Sequence, residues 1–135
     1  MRKGLHEPME RLLREFNARG GYALSLVCTD QGLPLASAGQ GLDPETLSAF
    51  TSLFDDVVVR ALRDLELKSV EELTLLEPGR GRYVVRPLEL GEPRLFLLIQ
   101  MDPRATWRRN TRLLCEGLTQ LIRRLDEPQT REESA

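Results

Sequence analysis

The chain has 135 residues, 41% of them hydrophobic and 30% charged, with a formal net charge of −2. That length predicts one soluble globular domain able to bury roughly two-thirds of its unfolded surface. The slight acidic excess argues against a general nucleic-acid binder, which carries surplus Lys and Arg.

Apolar runs such as 95–99 span only four or five residues, and no apolar stretch follows Met1-Arg2-Lys3. Neither a transmembrane helix nor a secretory signal is therefore expected. Two cysteines, Cys28 and Cys115, suit a reducing compartment better than a disulfide scaffold, and a cytoplasmic location is expected. The single histidine, His6, removes most metal and acid–base constellations, so no metal site and no cofactor is expected. Arginine outnumbers lysine 17 to 2, a bias that a GC-rich or thermophilic genome explains without any function.

Pro8 opens the first helix, where its missing N–H costs nothing. Met9, Leu12, Leu13 and Phe16 follow at i, i+3, i+4, i+7, and Gly20-Gly21 ends the stripe. Tyr22–Thr29 is short and apolar and reads as a strand. Asp30-Gln31-Gly32 turns it back into a second strand over 33–38, completing a hairpin. Pro34 cannot donate a ladder hydrogen bond, so this second strand belongs at a sheet edge.

Asp43-Pro44-Glu45 combines a cap, a first-position proline and a first-turn acid, and predicts a helix running to about residue 65. Its apolar positions cover roughly half the circumference, wider than the ~100° stripe that one packing surface needs. Leu47, Phe54, Val58, Leu62 and Leu65 suffice to cover a sheet, which leaves Phe50, Leu53 and Val57 along the flank for a second partner. Strands over 70–77, 82–88 and 94–101 follow, the last almost continuously apolar as a central strand should be. Asp102-Pro103 predicts the start of a last helix with core positions Trp107, Leu114, Leu118, Leu121, Ile122 and Leu125. Residues 126–135 read as a polar, disordered tail.

Catalytic arrangements are scarce. Cys28 lies mid-strand and Cys115 beside a helix stripe, where both read as small buried hydrophobes. Asp55-Asp56 and Glu71-Glu72 are adjacent pairs whose side chains diverge on a helix or strand. Gly39-Gln40-Gly41 and Gly79-Arg80-Gly81 lack the Gly-Lys-Ser/Thr ending of a phosphate loop, and turn glycines explain them better. Arg80, between two glycines, is the best placed arginine to enter a partner's active site, although a solubilising turn residue is the plainer reading. Arg104, Arg108, Arg109 and Arg112 crowd the start of the last helix against its dipole. They form either a solvated face or a docking patch for an acidic partner.

The first helix with Gly20-Gly21-Tyr22-Ala23-Leu24-Ser25-Leu26-Val27-Cys28-Thr29-Asp30-Gln31-Gly32-Leu33-Pro34-Leu35-Ala36-Ser37 resembles the opening of a roadblock domain. That family comprises the roadblock-type dynein light chains and bacterial roadblock-like regulators of Ras-like GTPases. The capped helix, the meander ending in Phe96-Leu97-Leu98-Ile99 and the final helix match its element order. The likeness covers residues 5–125, with 126–135 as the tail beyond the domain. The resemblance implies a three-layer α/β/α, profilin-like α+β fold with a five-stranded antiparallel sheet in the order 2-1-5-4-3. Helix 2 would cover one face, and helices 1 and 3 the other. It also implies a non-catalytic homodimer that regulates or scaffolds a small Ras-like GTPase, with no active-site residue to transfer.

Residues support the dimer independently. Phe50, Leu53 and Val57 along the helix flank would pair across a two-fold axis. Beside them Leu73, Thr74 and Leu75 belong to an edge strand that has no internal proline or lysine, whose two-fold pairing is self-complementary. Glu71 and Glu72 nearby weigh mildly against it. The alternative function is a small-molecule-sensing module of profilin-like or PAS/GAF-like architecture, which would need an internal pocket with convergent polar groups. Ser25 and Thr29 are the main inward polar residues available. An enzyme is the least supported reading, and nucleic acid is not an expected partner.

Overall fold

The computed structural model describes residues 4–91 and 93–134, with side chains described up to residue 124. Helix α1 spans His6–Gly20, starting two residues before Pro8, and buries Met9, Leu13 and Phe16. Gly21 closes it in the left-handed conformation (φ 66°), donating its N–H to Asn17 O; a side chain there would be strained.

The five strands are β1 (Tyr22–Thr29), β2 (Pro34–Gly39), β3 (Leu73–Glu77), β4 (Gly81–Leu88) and β5 (Leu95–Met101). They form one antiparallel sheet in the order β2-β1-β5-β4-β3. The Pro34 strand stands at one edge, as the missing N–H requires, and β5 lies in the middle.

Alternation along the strands feeds two cores. Leu95, Leu97, Ile99 and Met101 of β5 pack with α1 and with Leu114, Leu118 and Ile122 of α4. Phe96 and Leu98 face the opposite way, joining Leu24, Leu26, Cys28, Leu47, Val58 and Val85 under α2 and α3. The sheet is thus a covered middle layer, and the three-layer, profilin-like α+β architecture is the one the sequence resemblance implies.

Several local expectations are corrected. The helix expected over 43–65 is two helices, α2 (Pro44–Ala49) and α3 (Thr51–Asp64), separated at Phe50. Phe50 N–H bonds Leu47 O, tightening the turn, while buried Thr51 is drawn to Cys28 with its Oγ1 3.1 Å from Sγ. Leu65 then falls beyond the helix and is 69% exposed, so it covers no sheet. Strand β3 begins at Leu73 rather than at 70, because Glu71 and Glu72 are held by Arg86 and Trp107.

Helix α4 (Arg108–Ser134) does not start at Asp102-Pro103. Those residues make a turn: Arg104 N–H donates to Asp102 Oδ1 at 2.8 Å and Ala105 N–H to Asp102 O at 3.0 Å. An Asp-Pro pair serves turns as well as helix starts, which is why the pattern misleads. The helix extends through most of the segment read as a tail, 126–135; the side chains there, and that of Leu125, lie outside the described residues.

Candidate interaction surface

The groups with chemical potential are kept apart. His6 donates from Nδ1 to Leu35 O at 2.9 Å and pairs through Nε2 with Glu10 at 3.0 Å. Cys28 is fully buried against Thr51, and Cys115 sits half-buried on α4. Burial pushes both thiols up to about 11, so neither is an activated nucleophile near neutral pH. The acidic pairs diverge as expected. Asp55 bonds Arg94 at 2.6 Å while Asp56 pairs with Arg60 at 3.0 Å; Glu71 meets Arg86 at 3.2 Å while Glu72 accepts from Trp107 Nε1 at 2.9 Å.

A pH dependence follows from the thiols. An unfolded cysteine ionises near 9.0, whereas the folded protein holds both protons to about 11. The associated stability is fully present below pH 9 and is lost as pH rises toward 11. The urea midpoint should therefore fall over that interval, and fall less steeply in Cys28→Ala with Cys115→Ala. A midpoint that does not move between pH 9 and 11 would contradict this.

The flank predicted for a second partner is exposed. Phe50 is 50% accessible, Leu53 58% and Val57 49%, and they follow at i, i+3 and i+7 along the start of α3. Leu75 of β3, 53% exposed, lines one apolar groove of about 210 Å³ with Phe50, Phe54, Leu42 and Tyr83. The chain thus joins residues 25 positions apart into one apolar strip beside the sheet edge. Leu73 points to the same side and is half-buried against that core, whereas Thr74 turns to the other face and donates to Glu72 at 3.2 Å.

The two sheet edges differ. Along β2, α1 reaches the strand backbone through His6 and through Asn17 Nδ2, which donates to Ala38 O at 3.1 Å. Residues 74–77 of β3 are exposed, and no helix bonds that edge among the described residues. The acids that counted against pairing at β3 are occupied within their own chain by Arg86 and Trp107.

The four arginines singled out from the sequence do not all line the same groove. Arg104 lies in the turn before α4, with its guanidinium 3.7 Å from Asp102. Arg108 and Arg109 line a groove with Arg19 of α1, while Arg112 lines another with Arg86 and Arg123. The stacking of Arg82 on Trp107 carries no sequence signal, because the two residues are distant in the chain.

No protein-family model matches the chain, and no curated protein matches it significantly in sequence. Solved structures match its fold over nearly its whole length. Myxococcus xanthus MglB superposes with a TM-score of 0.78 at 13% identity, over 93% of this chain and 94% of that one. The gliding protein MglB of Thermus thermophilus gives 0.73 at 17% identity, over 95% of both chains. A Roadblock/LC7 domain from Streptomyces avermitilis gives 0.65 at 13% identity, over 90% of this chain and 97% of that one. The fold is that of a roadblock domain. On this fold the exposed strip runs along α3 beside the β3 edge. Among the described residues no helix is long and apolar enough to cross a membrane.

Proposed function

We propose that this roadblock-fold chain, over residues 5–125, is a non-catalytic homodimeric module that binds and regulates, or scaffolds, a small Ras-like GTPase in the cytoplasm. The observation that carries the dimer is the apolar strip of Phe50, Leu53, Val57 and Leu75 beside the open β3 edge. Fully burying each such side chain stabilises by roughly 1.5–3 kcal/mol, so covering the strip offsets a substantial part of the association cost. Antiparallel pairing of β3 with β3 of a second copy places both strips about one two-fold axis. The GTPase rests on the family resemblance and on the likeness in fold to the two MglB structures.

Titration with a Ras-like GTPase from the same genome, loaded with GDP or a non-hydrolysable GTP analogue, tests the partner. Binding to one nucleotide state over the other is the expected result, and equal absence of binding to both states contradicts it. Arg80 sits at the tip of the β3–β4 hairpin, where Pro78 and Gly79 (φ 77°) form the turn and Glu77 pairs with Arg80 at 3.5 Å. As a turn residue it has no catalytic part, so Arg80→Ala should leave single-turnover GTP hydrolysis by the partner unchanged. A large drop would make the module a supplier of a catalytic arginine.

One observation favours the sensing alternative. A cavity of about 360 Å³ lies between α1, the β1–β2 turn and α4, lined by Leu5, Met9, Leu33, Leu35 and Leu95, with Thr29, Asp30 and Gln31 contributing polar groups. That is near the lower end of the range of roughly 300–1,000 Å³ for small-molecule sites. Ser25 does not line it.

A further inference from the structure

We propose that the groove between the last turn of α1 and the first turns of α4 docks an acidic polypeptide segment of a partner protein. It has a volume of about 620 Å³ and lies on the helical layer opposite α3. Arg19, Arg108 and Arg109 line it together with Trp107, Leu113 and Asn110, and no carboxylate does.

Two of its three arginines are held in place before any ligand arrives. The Arg108 guanidinium lies 4.6 Å from the Trp107 ring centroid, and Arg82 stacks on the same ring at 4.1 Å. Trp107 is itself fixed by the hydrogen bond from its Nε1 to Glu72. Across the groove Arg19 lies over Phe16 at 4.9 Å and pairs with Glu15 at 2.7 Å. Asn110 Nδ2 donates to Phe16 O at 3.1 Å, tying the two helix ends together. A guanidinium fixed on an aromatic plate loses less freedom when it takes a carboxylate through two N–H groups.

Among the described residues no carboxylate comes within ion-pair range of Arg108 or Arg109, and Arg109 is exposed. Both stand in the first turn of α4, where the helix dipole disfavours cations; α1 and α2 place Glu7 and Glu45 in that turn, and α4 has no acid there. The arginine bias explains why these residues are not lysine, but not why four of nine positions from 104 to 112 are arginine.

The shape selects the partner. A lipid surface is planar, whereas these arginines flank a concave site floored by Trp107, Ala105 and Leu113. A nucleic acid would meet a chain of net charge −2. A segment with carboxylates on either side of an apolar residue matches both the rim and the floor.

Trp107 is the only tryptophan, so its emission reports occupancy directly. The probe is a short synthetic peptide of Glu-Glu-Leu repeats, titrated into the full chain. Saturable change in Trp107 emission is expected, with affinity lowered about tenfold by Arg108→Glu with Arg109→Glu and altered by less than about twofold in the charge-matched Arg11→Glu with Arg14→Glu. Vesicles of phosphatidylcholine and phosphatidylserine should leave the emission unchanged. The proposal is overturned if both double variants lose affinity equally, if the peptide leaves Trp107 emission static, or if vesicles alone shift it. It stands apart from the dimer, since α3 and β3 are intact in every variant used.

Discussion

A chain carrying Phe50→Asp with Val57→Asp should sediment as a folded monomer at concentrations where the wild type sediments as a dimer. In the isolated chain both side chains are about half exposed, at 50% and 49%, so aspartate there stays in water and the domain keeps its far-UV circular dichroism. Across a two-fold axis each substitution counts twice and would place carboxylates within an apolar seam, at several kcal/mol each unless paired. A weakening of about a thousandfold in the dimer constant, roughly 4 kcal/mol, is a conservative expectation. Loss of the fold itself would show that these residues serve the monomer core. A variant that still sediments as a dimer would move the interface elsewhere.

Phe96→Ala should have the largest effect on the monomer. Phe96 is 1% exposed in the middle strand, packed among Leu24, Leu26, Cys28, Leu47, Val58 and Leu98. Neighbouring strands cannot collapse into the space it leaves, so a cost of about 3–5 kcal/mol is expected. That is a large part of the roughly 5–15 kcal/mol available to a domain and corresponds to a fall in Tm on the order of 10–20 °C. Phe50→Ala, measured on the monomer, should cost far less, because half of that ring is already in water. Equal effects in calorimetry would mean that Phe96 is less enclosed than the packing implies.

The parts of the fold legible in the sequence were those set by period and by backbone chemistry. Pro34 marked an edge strand because it lacks an N–H, and the unbroken run Phe96-Leu97-Leu98-Ile99 marked a strand covered on both faces. Phe50, Leu53 and Val57 stood out because one helix cannot use so wide an apolar arc on a single sheet. What was not legible depended on contacts between distant residues. The break at Phe50 accompanies a contact between Thr51 and the distant Cys28, and every residue around it is compatible with a continuous helix. Asp102-Pro103 serves a turn because Asp102 caps Arg104 and Ala105 locally instead of opening α4. Glu71 and Glu72 looked like an obstacle to strand pairing, although Arg86 and Trp107 already hold them. The groove beside α4 was half legible: Arg108 and Arg109 crowd the helix start in the sequence, but Arg19 lines the groove only through α1 and Arg82 reaches Trp107 only through β4.

Residues 74–77 of β3, exposed in the single chain, give the most direct access to the central claim that this edge pairs with a second copy. Alternate N–H groups of Leu73–Glu77 face β4 and the others face outward. Hydrogen exchange of the outward-facing amides should therefore be measured at high and low micromolar protein alongside sedimentation. An unpaired edge amide exchanges at close to its free rate, whereas one bonded to a partner strand opens only with dissociation or unfolding. Protection of these amides that grows with concentration and disappears in Phe50→Asp with Val57→Asp is the predicted result. Outward-facing β3 amides left unprotected at every concentration, in a chain that sediments as a monomer, would contradict it.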